Sequence, residues 1–472
     1  MSYLLSLLSL DNWRLKSWQK SSYLYRLVGL LAPLNTGLLL RWSEAIGALL
    51  ISTVLIFTPF SFISTDLIVV FLAAIAVYWG MTTLADNKKI AATPIHFLVL
   101  LYWFISVLAV ALSPVKMAAA VGLAKLTLYL FFFVLAARVL RSPRLTSWVT
   151  GIYLLISLVM GAYGVQQQRV GVEPLATWND PTSVLAQDTR VYSFIGNPNL
   201  LAGYLLGAIS LSIAAFFVWQ RWLPKALAAT ILLVNLSCLY FTQCRGAWIG
   251  CLALLAVFVV MARYWWDRYL PYWAKKYLLP LAFGAAALAA IVAFLFVEPL
   301  RLRISSIFLG RQDSSNNYRI NVWNAVKKMI ADYPFLGIGP GNSAFNKMYP
   351  LYMDSKYPAL SAYSIYLETI VETGFIGFSC FLWLLATTIS QGVRQFFRFR
   401  ETQNPRGWWL MAALAGMVGL LVHGFVDTVW YRPEINTIWW LLMAIVASNY
   451  QPLTEQKSTP DEERVDRVVY SE

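Results

Sequence analysis

Twelve stretches of this chain are apolar for long enough to approach the thickness of a lipid bilayer, and that leaves few folds open. They run at about 43–61, 65–84, 94–113, 117–138, 146–165, 199–219, 225–242, 246–263, 279–297, 363–390, 408–425 and 434–449. A helix needs ~20 such residues to cross a hydrocarbon core of roughly 30 Å. In lipid every backbone N–H and C=O must be satisfied internally, so only helices and closed barrels span. These runs are continuously apolar and lack the alternation of a barrel strand. The expected fold class is therefore all-α, a polytopic helical membrane protein of about twelve transmembrane helices with one large external loop. Composition agrees: 59% of residues are hydrophobic and 13% charged, against about 25% charged in soluble domains.

The net charge of +14 does not point to nucleic acid in such a chain. Lys and Arg concentrate in the N-terminal segment, in alternate connections and in the C-terminal tail, the bias that marks cytoplasmic segments. The reading is a multi-pass protein of the inner (plasma) membrane with both termini cytoplasmic. It divides into a cytoplasmic amphipathic segment (1–42), nine spans (43–297), a large external, periplasmic loop (298–362), three spans (363–449) and a disordered tail (450–472). The apolar run at 4–10 has its positive charges after it, which is not the order of a cleavable signal peptide. Cys238, Cys244, Cys251 and Cys380 fit no metal spacing, and the chain has only two histidines. No metal and no cofactor are expected; membrane lipids are the expected surroundings.

The one long polar stretch, 298–361, carries eight basic residues: Arg301, Arg303, Arg311, Arg319, Lys327, Lys328, Lys347 and Lys356. Within it 318–332 has helical periodicity, with Val322, Trp323, Val326, Met329 and Ile330 on one face. That pattern predicts an amphipathic helix lying flat on a membrane surface, ended by Pro334. A turn containing Gly337, Gly339 and Gly341 follows, whose N–H groups are candidates for holding an anion.

In the expected topology Arg190, Arg245, the long loop and Arg432 emerge on one face. Arg190 precedes Asn197-Pro198, an N-cap and first-turn pair, so a helix N-terminus and a guanidinium form a candidate anion site; a snorkelling arginine beside an ordinary capped helix is the alternative. Arg245 is the sole charge between Lys225 and Arg263. It stands before Gly246 and Gly250, a spacing that lets helices approach closely, and its guanidinium suits a bidentate grip on carboxylate, phosphate or bicarbonate. Glu368 and Glu372 share one helix face, as a cation or proton site or as ion-pair partners for Arg190 or Arg245. Lys125 lies within a span, either in a buried pair or snorkelling outward. His423 lies near the external end of its helix.

Together these stretches resemble the O-antigen ligase and polymerase-like superfamily of bacterial membrane proteins, most strongly at 190–203, Cys244-Arg245-Gly246, 319–341 and 363–377. The resemblance implies transfer of a glycan from a lipid diphosphate, with Arg190 and Arg245 in the place of the ligases' diphosphate-binding arginines. The ligases' proposed base, a histidine, falls on Tyr363, and tyrosine with a pKa near 10 is a poor base at neutral pH. Within the superfamily the chain is most similar to a cyanobacterial inorganic-carbon-accumulation subgroup, through Thr93-Pro-Ile-His96, Gly122-Leu-Ala-Lys125, Asp313-Ser-Ser-Asn-Asn and Leu360-Ser-Ala-Tyr-Ser364. That likeness implies bicarbonate uptake or accumulation, with Arg190, Arg245 and Arg319 as anion ligands and Tyr363, Glu368, Glu372, His423 and Lys125 in support. The expected ligand is bicarbonate or a lipid-linked glycan, and membrane partner proteins are a third expectation.

Overall fold

A computed structural model describes residues 42–85, 92–172, 190–428 and 430–451. The expected N-terminal amphipathic segment and C-terminal tail lie outside these residues, apart from their innermost positions. Among the described residues there is no strand. The protein is an all-α polytopic membrane protein, with a helix at each of the twelve apolar stretches.

The first nine are α1 (Ser43–Phe57), α2 (Thr65–Ala85), α3 (Pro94–Leu112), α4 (Lys116–Val139), α5 (Pro143–Val170), α6 (Pro198–Val218), α7 (Trp222–Phe241), α8 (Arg245–Trp265) and α9 (Tyr272–Phe296). The long loop contributes α10 (Glu298–Ser305), α11 (Ser314–Asp332) and α12 (Asn342–Met348). The last three spans are α13 (Ile365–Thr402), α14 (Arg406–His423) and α15 (Pro433–Ser448). Ten helices among the described residues are long and apolar enough to cross a membrane; α1 and α15, with 15 and 16 residues, are shorter.

Local chemistry sets many of the ends. Thr93 caps α3 and exchanges hydrogen bonds with His96 three residues on, with Thr93 Oγ1 and His96 Nδ1 2.7 Å apart. Asn197 accepts from the N–H groups of Asn199 and Leu200 to start α6, and Pro198 stands at its first position. Asp313 caps α11 through Asn316 N–H at 2.8 Å. Helices α6 and α14 form the centre of the bundle and are buried over most of their length, whereas α9 buries only Ala274. The α8–α14 crossing is close because a Cβ at Gly250 would stand 2.6 Å from the carbonyl oxygen of Gly419.

Two expectations about the long loop are corrected. The apolar face of α11 does not rest on a membrane surface. Val322, Ala325, Val326 and Met329 are buried against Ala118 and Ala119 of α4, Ile338, Phe345 of α12 and Val371 of α13. Burial of a Val or Met side chain contributes about 1.5–3 kcal/mol, and here protein provides the cover. The glycine turn does not hold out its N–H groups to an external anion either: the ones described are engaged within the protein. Ile338 and Gly339 donate to the carbonyls of Val371 and Glu372, and Gly341 donates to the Glu372 carboxylate at 2.7 Å. The turn re-enters the bundle and inserts into a break in α13 at Gly374, whose φ is 65°. Phe375 N–H, freed by the break, donates to the carbonyl of Pro334 at 2.8 Å. Helix α13 then continues to Thr402, twelve residues beyond the expected end at 390.

Candidate functional site

Four arginines from separate parts of the sequence line one cavity of about 350 Å³: Arg190, Arg245, Arg303 and Arg319. It sits where α8 begins and α14 ends, under the first half of the long loop. Each guanidinium is fixed by the protein. Arg190 donates from Nε to the carbonyl of Thr242 (3.0 Å) and from Nη2 to Asn199 Oδ1 (2.8 Å). Arg245 grips Asp313 with both terminal nitrogens, at 3.3 and 3.0 Å, and donates to Ser306 Oγ at 2.6 Å. Arg303 donates twice to Gln243 Oε1, at 2.8 and 2.5 Å. Arg319 donates to the carbonyl of Val426 (2.7 Å) and lies 3.7 Å from Asp427. Asp427 also accepts from Asn199 Nδ2 at 2.7 Å, which links the Arg190 and Arg319 ends of the cavity.

The electrostatics follow from burial. The Arg245 and Asp313 side chains are 12% and 9% exposed, a depth at which losing one partner strands a charge. Burial pulls the proton affinity of Arg190 down, and the neighbouring guanidiniums of Arg319 and Arg245 act in the same direction. Four cations face two carboxylates, Asp313 and Asp427, in this lining. Guanidiniums concentrated in this way attract anions. The lining also includes apolar side chains: Ile249, Ile307, Ile320 and Trp323.

Tyr363 and His423 border the same cavity. Tyr363 has φ 49°, a left-handed conformation that is costly for an aromatic residue and is held by its surroundings. Its ring stands edge-on to Tyr318. Burial, then the nearby Asp427 carboxylate, push its hydroxyl well above the ordinary range, so at neutral pH it is a neutral phenol and takes no proton. Tyr363→Phe is therefore expected to leave the pH profile of any activity at this site unchanged across the neutral range; a shifted profile would show that the hydroxyl titrates in the reaction. His423 is fully buried, with Nε2 3.5 Å from Cys244 Sγ and Nδ1 without a partner.

Arg190, Arg245, Arg319, Tyr363 and His423 thus meet at one place. Glu368, Glu372 and Lys125 do not; they line a different cavity. The expected ion pairs of Glu368 and Glu372 with Arg190 or Arg245 are absent among the described residues. Each glutamate instead accepts from a backbone N–H of the long loop, Ala362 for Glu368 and Gly341 for Glu372. Arg303, Gln243, Asn199, Asp313 and Asp427 were not among the sequence-derived candidates. The signal in the sequence was Gln243-Cys244-Arg245, whose first residue has φ 52° and turns its amide toward the loop.

This architecture defines a multi-pass helical membrane protein with a buried, arginine-rich cavity at one end of the bundle. Residues 228–382 match the family model described as O-Antigen ligase, so over this segment the chain is similar to that family and is an O-antigen ligase-like membrane protein. The match runs from within α7 into α13 and contains Arg245, Arg303, Asp313, Arg319 and Tyr363; Arg190, His423 and Asp427 lie outside it. No curated protein matches the chain.

Proposed function

We propose that the arginine cavity binds the diphosphate of a lipid-linked glycan at the external face of the inner membrane, and that the protein acts on that glycan. One observation carries the reading: four fixed guanidiniums converge on a cavity of about 350 Å³ whose lining also includes apolar side chains. A dianionic head on a hydrocarbon chain uses both features. A small anion such as bicarbonate leaves most of the volume unfilled. Charge-assisted hydrogen bonds from arginine forks are the strong ones, and they suit phosphate geometry. The similarity to O-antigen ligases over residues 228–382 supports the same class. For glycan transfer, His423 is the candidate base, since it lines the cavity and its Nδ1 is not engaged by a described residue.

A second reading, bicarbonate uptake or accumulation, is favoured by one specific observation. The position matching the ligases' histidine is Tyr363, and this departure goes with the chain's resemblance to the cyanobacterial inorganic carbon accumulation protein IctB. The two readings separate in one preparation. Full-length protein in liposomes is titrated with farnesyl diphosphate and, in parallel, tested for uptake of labelled bicarbonate under sodium and pH gradients. We expect saturable farnesyl diphosphate binding and no uptake. Uptake that depends on Arg245, with no diphosphate binding, would replace the first reading by the second.

A further inference from the structure

Cys244 has no part in the reading above, yet it stands among groups that activate a thiol. It is the N-cap of α8, and its carbonyl accepts from the N–H groups of Ala247 and Trp248 at 3.1 and 3.0 Å. Its side chain makes no capping hydrogen bond. The thiol is thus carried at the N-terminal end of a 21-residue helix, where partial positive charge favours an anion. Beside it stands His423, the last residue of α14, with Nε2 3.5 Å from the sulfur. That is the ring's one hydrogen-bond contact among the described residues, because Nδ1 has no partner. Gly246 permits the approach. A Cβ there would lie 2.6 Å from Val426 Cγ2 and 3.1 Å from His423 Cδ2, so a larger residue would press the end of α14 away from the thiol.

Cys244 and His423 both line the arginine cavity, and Cys244 is 5% exposed. The other cysteines offer an internal comparison. Cys238, Cys251 and Cys380 are also free and buried, but they lie inside α7, α8 and α13, and none of them lines this cavity.

Thiol, base and anion trap together define a chemistry. The thiolate is the reactive form of cysteine. Burial raises the pKa of the Cys244 thiol, but the His423 imidazole and the Arg190 guanidinium outweigh burial and bring it below the ordinary thiol value. The guanidiniums concentrate anionic reagents beside the sulfur. We infer that Cys244 is a modification site of the arginine cavity, reactive toward small anionic disulfides and thiosulfonates, and that its modification closes the cavity to other anions. In the reaction the thiol proton passes to His423 Nε2 and from there to solvent. The sulfur attacks a sulfur of the reagent, a new S–S bond forms, the reagent's own bond breaks, and its leaving group departs with the electron pair. The attached group adds bulk and negative charge among the guanidiniums. A free thiol in excess reverses the exchange. The reactivity stands on the thiol and its neighbours alone; the closure rests on the diphosphate reading above.

The test uses full-length protein in lipid nanodiscs. It is treated with anionic sulfonatoethyl methanethiosulfonate or cationic trimethylammonioethyl methanethiosulfonate, and peptide mass spectrometry reads which cysteine is labelled and how fast. Each rate is divided by that of the same reagent with a free cysteine peptide. Cys244 is expected to label before Cys238, Cys251 and Cys380, and about tenfold faster with the anionic reagent than with the cationic one. His423→Gln should slow the labelling by about tenfold or more; if that variant fails to fold, the order of labelling and the charge preference in the parent decide. Labelled protein should lose farnesyl diphosphate binding and regain it with dithiothreitol, while Cys244→Ser protein should bind alike before and after treatment. The inference is overturned if Cys244 labels no faster than the other cysteines, if the normalised rates show no preference for the anionic reagent, or if fully labelled protein binds farnesyl diphosphate as the untreated protein does. Should untreated protein fail to bind farnesyl diphosphate, the diphosphate reading and the closure fall together, and the labelling rates still decide whether Cys244 is the reactive thiol.

Discussion

Arg245→Ala is expected to weaken farnesyl diphosphate binding by about a hundredfold or more. Two effects add. The variant removes a fork that holds anions in two-point geometry, and it leaves the Asp313 carboxylate, 9% exposed, as an uncompensated negative charge in an anion site. Breaking a buried pair in this way costs roughly 3–5 kcal/mol, so part of the loss would appear as a loosened segment around Asp313, the cap of α11. The double variant Arg245→Ala/Asp313→Ala separates the two effects. It is expected to recover part of the thermal stability, because no stranded charge remains although the α11 cap is lost, but not affinity, because the fork is still missing. Arg245→Lys keeps the charge and loses the planar geometry, and should lie between, about tenfold weaker. Isothermal titration of liposome-reconstituted protein reads the affinity and a thermal melt followed by circular dichroism reads the fold. Unchanged affinity in a folded Arg245→Ala protein would remove Arg245 from the site.

Arg245 was legible in the sequence because it is alone: the only charge for many residues on either side, before a glycine-spaced helix start. Arg303 does equivalent work from the loop, donating to Gln243, yet nothing in its sequence distinguishes it from Arg301 or Arg311. Charge is informative where the background is apolar and uninformative where the background is charged. The spans were legible for a related reason, since lipid forces the backbone into helices whatever the side chains do. The periodicity of α11 revealed an apolar face but could not say what covers it. A membrane surface and the first turn of α4 impose the same pattern. Glu368 and Glu372 show the same limit. Their shared face is set by spacing, but their partners, Ala362 N–H and Gly341 N–H, are set by how the loop folds back.

Gly374→Ala is expected to be strongly destabilising. Residue 374 has φ 65°, which alanine adopts only at a cost, and a Cβ there would meet the backbone carbonyl of Phe335 in the re-entrant turn. Backbone cannot give way as a flexible side chain would. The turn must therefore withdraw, taking with it the hydrogen bonds from Ile338 and Gly339 to α13 and from Gly341 to Glu372. Strain together with overpacking places the loss above about 3 kcal/mol. Withdrawal also uncovers the apolar face of α11 and displaces its N-terminal half, which carries Arg319, so anion binding should fall with stability. Gly80→Ala and Gly284→Ala are the matched controls, because nothing lies within 4 Å of a Cβ at either position. Both are expected to change stability by less than about 1 kcal/mol. Melting temperature in nanodiscs and limited proteolysis of the long loop measure the outcome. If Gly374→Ala melts with the controls and its loop stays protected, the turn is not wedged in the break of α13, and the positions of Arg319 and Glu372 must be set by other contacts.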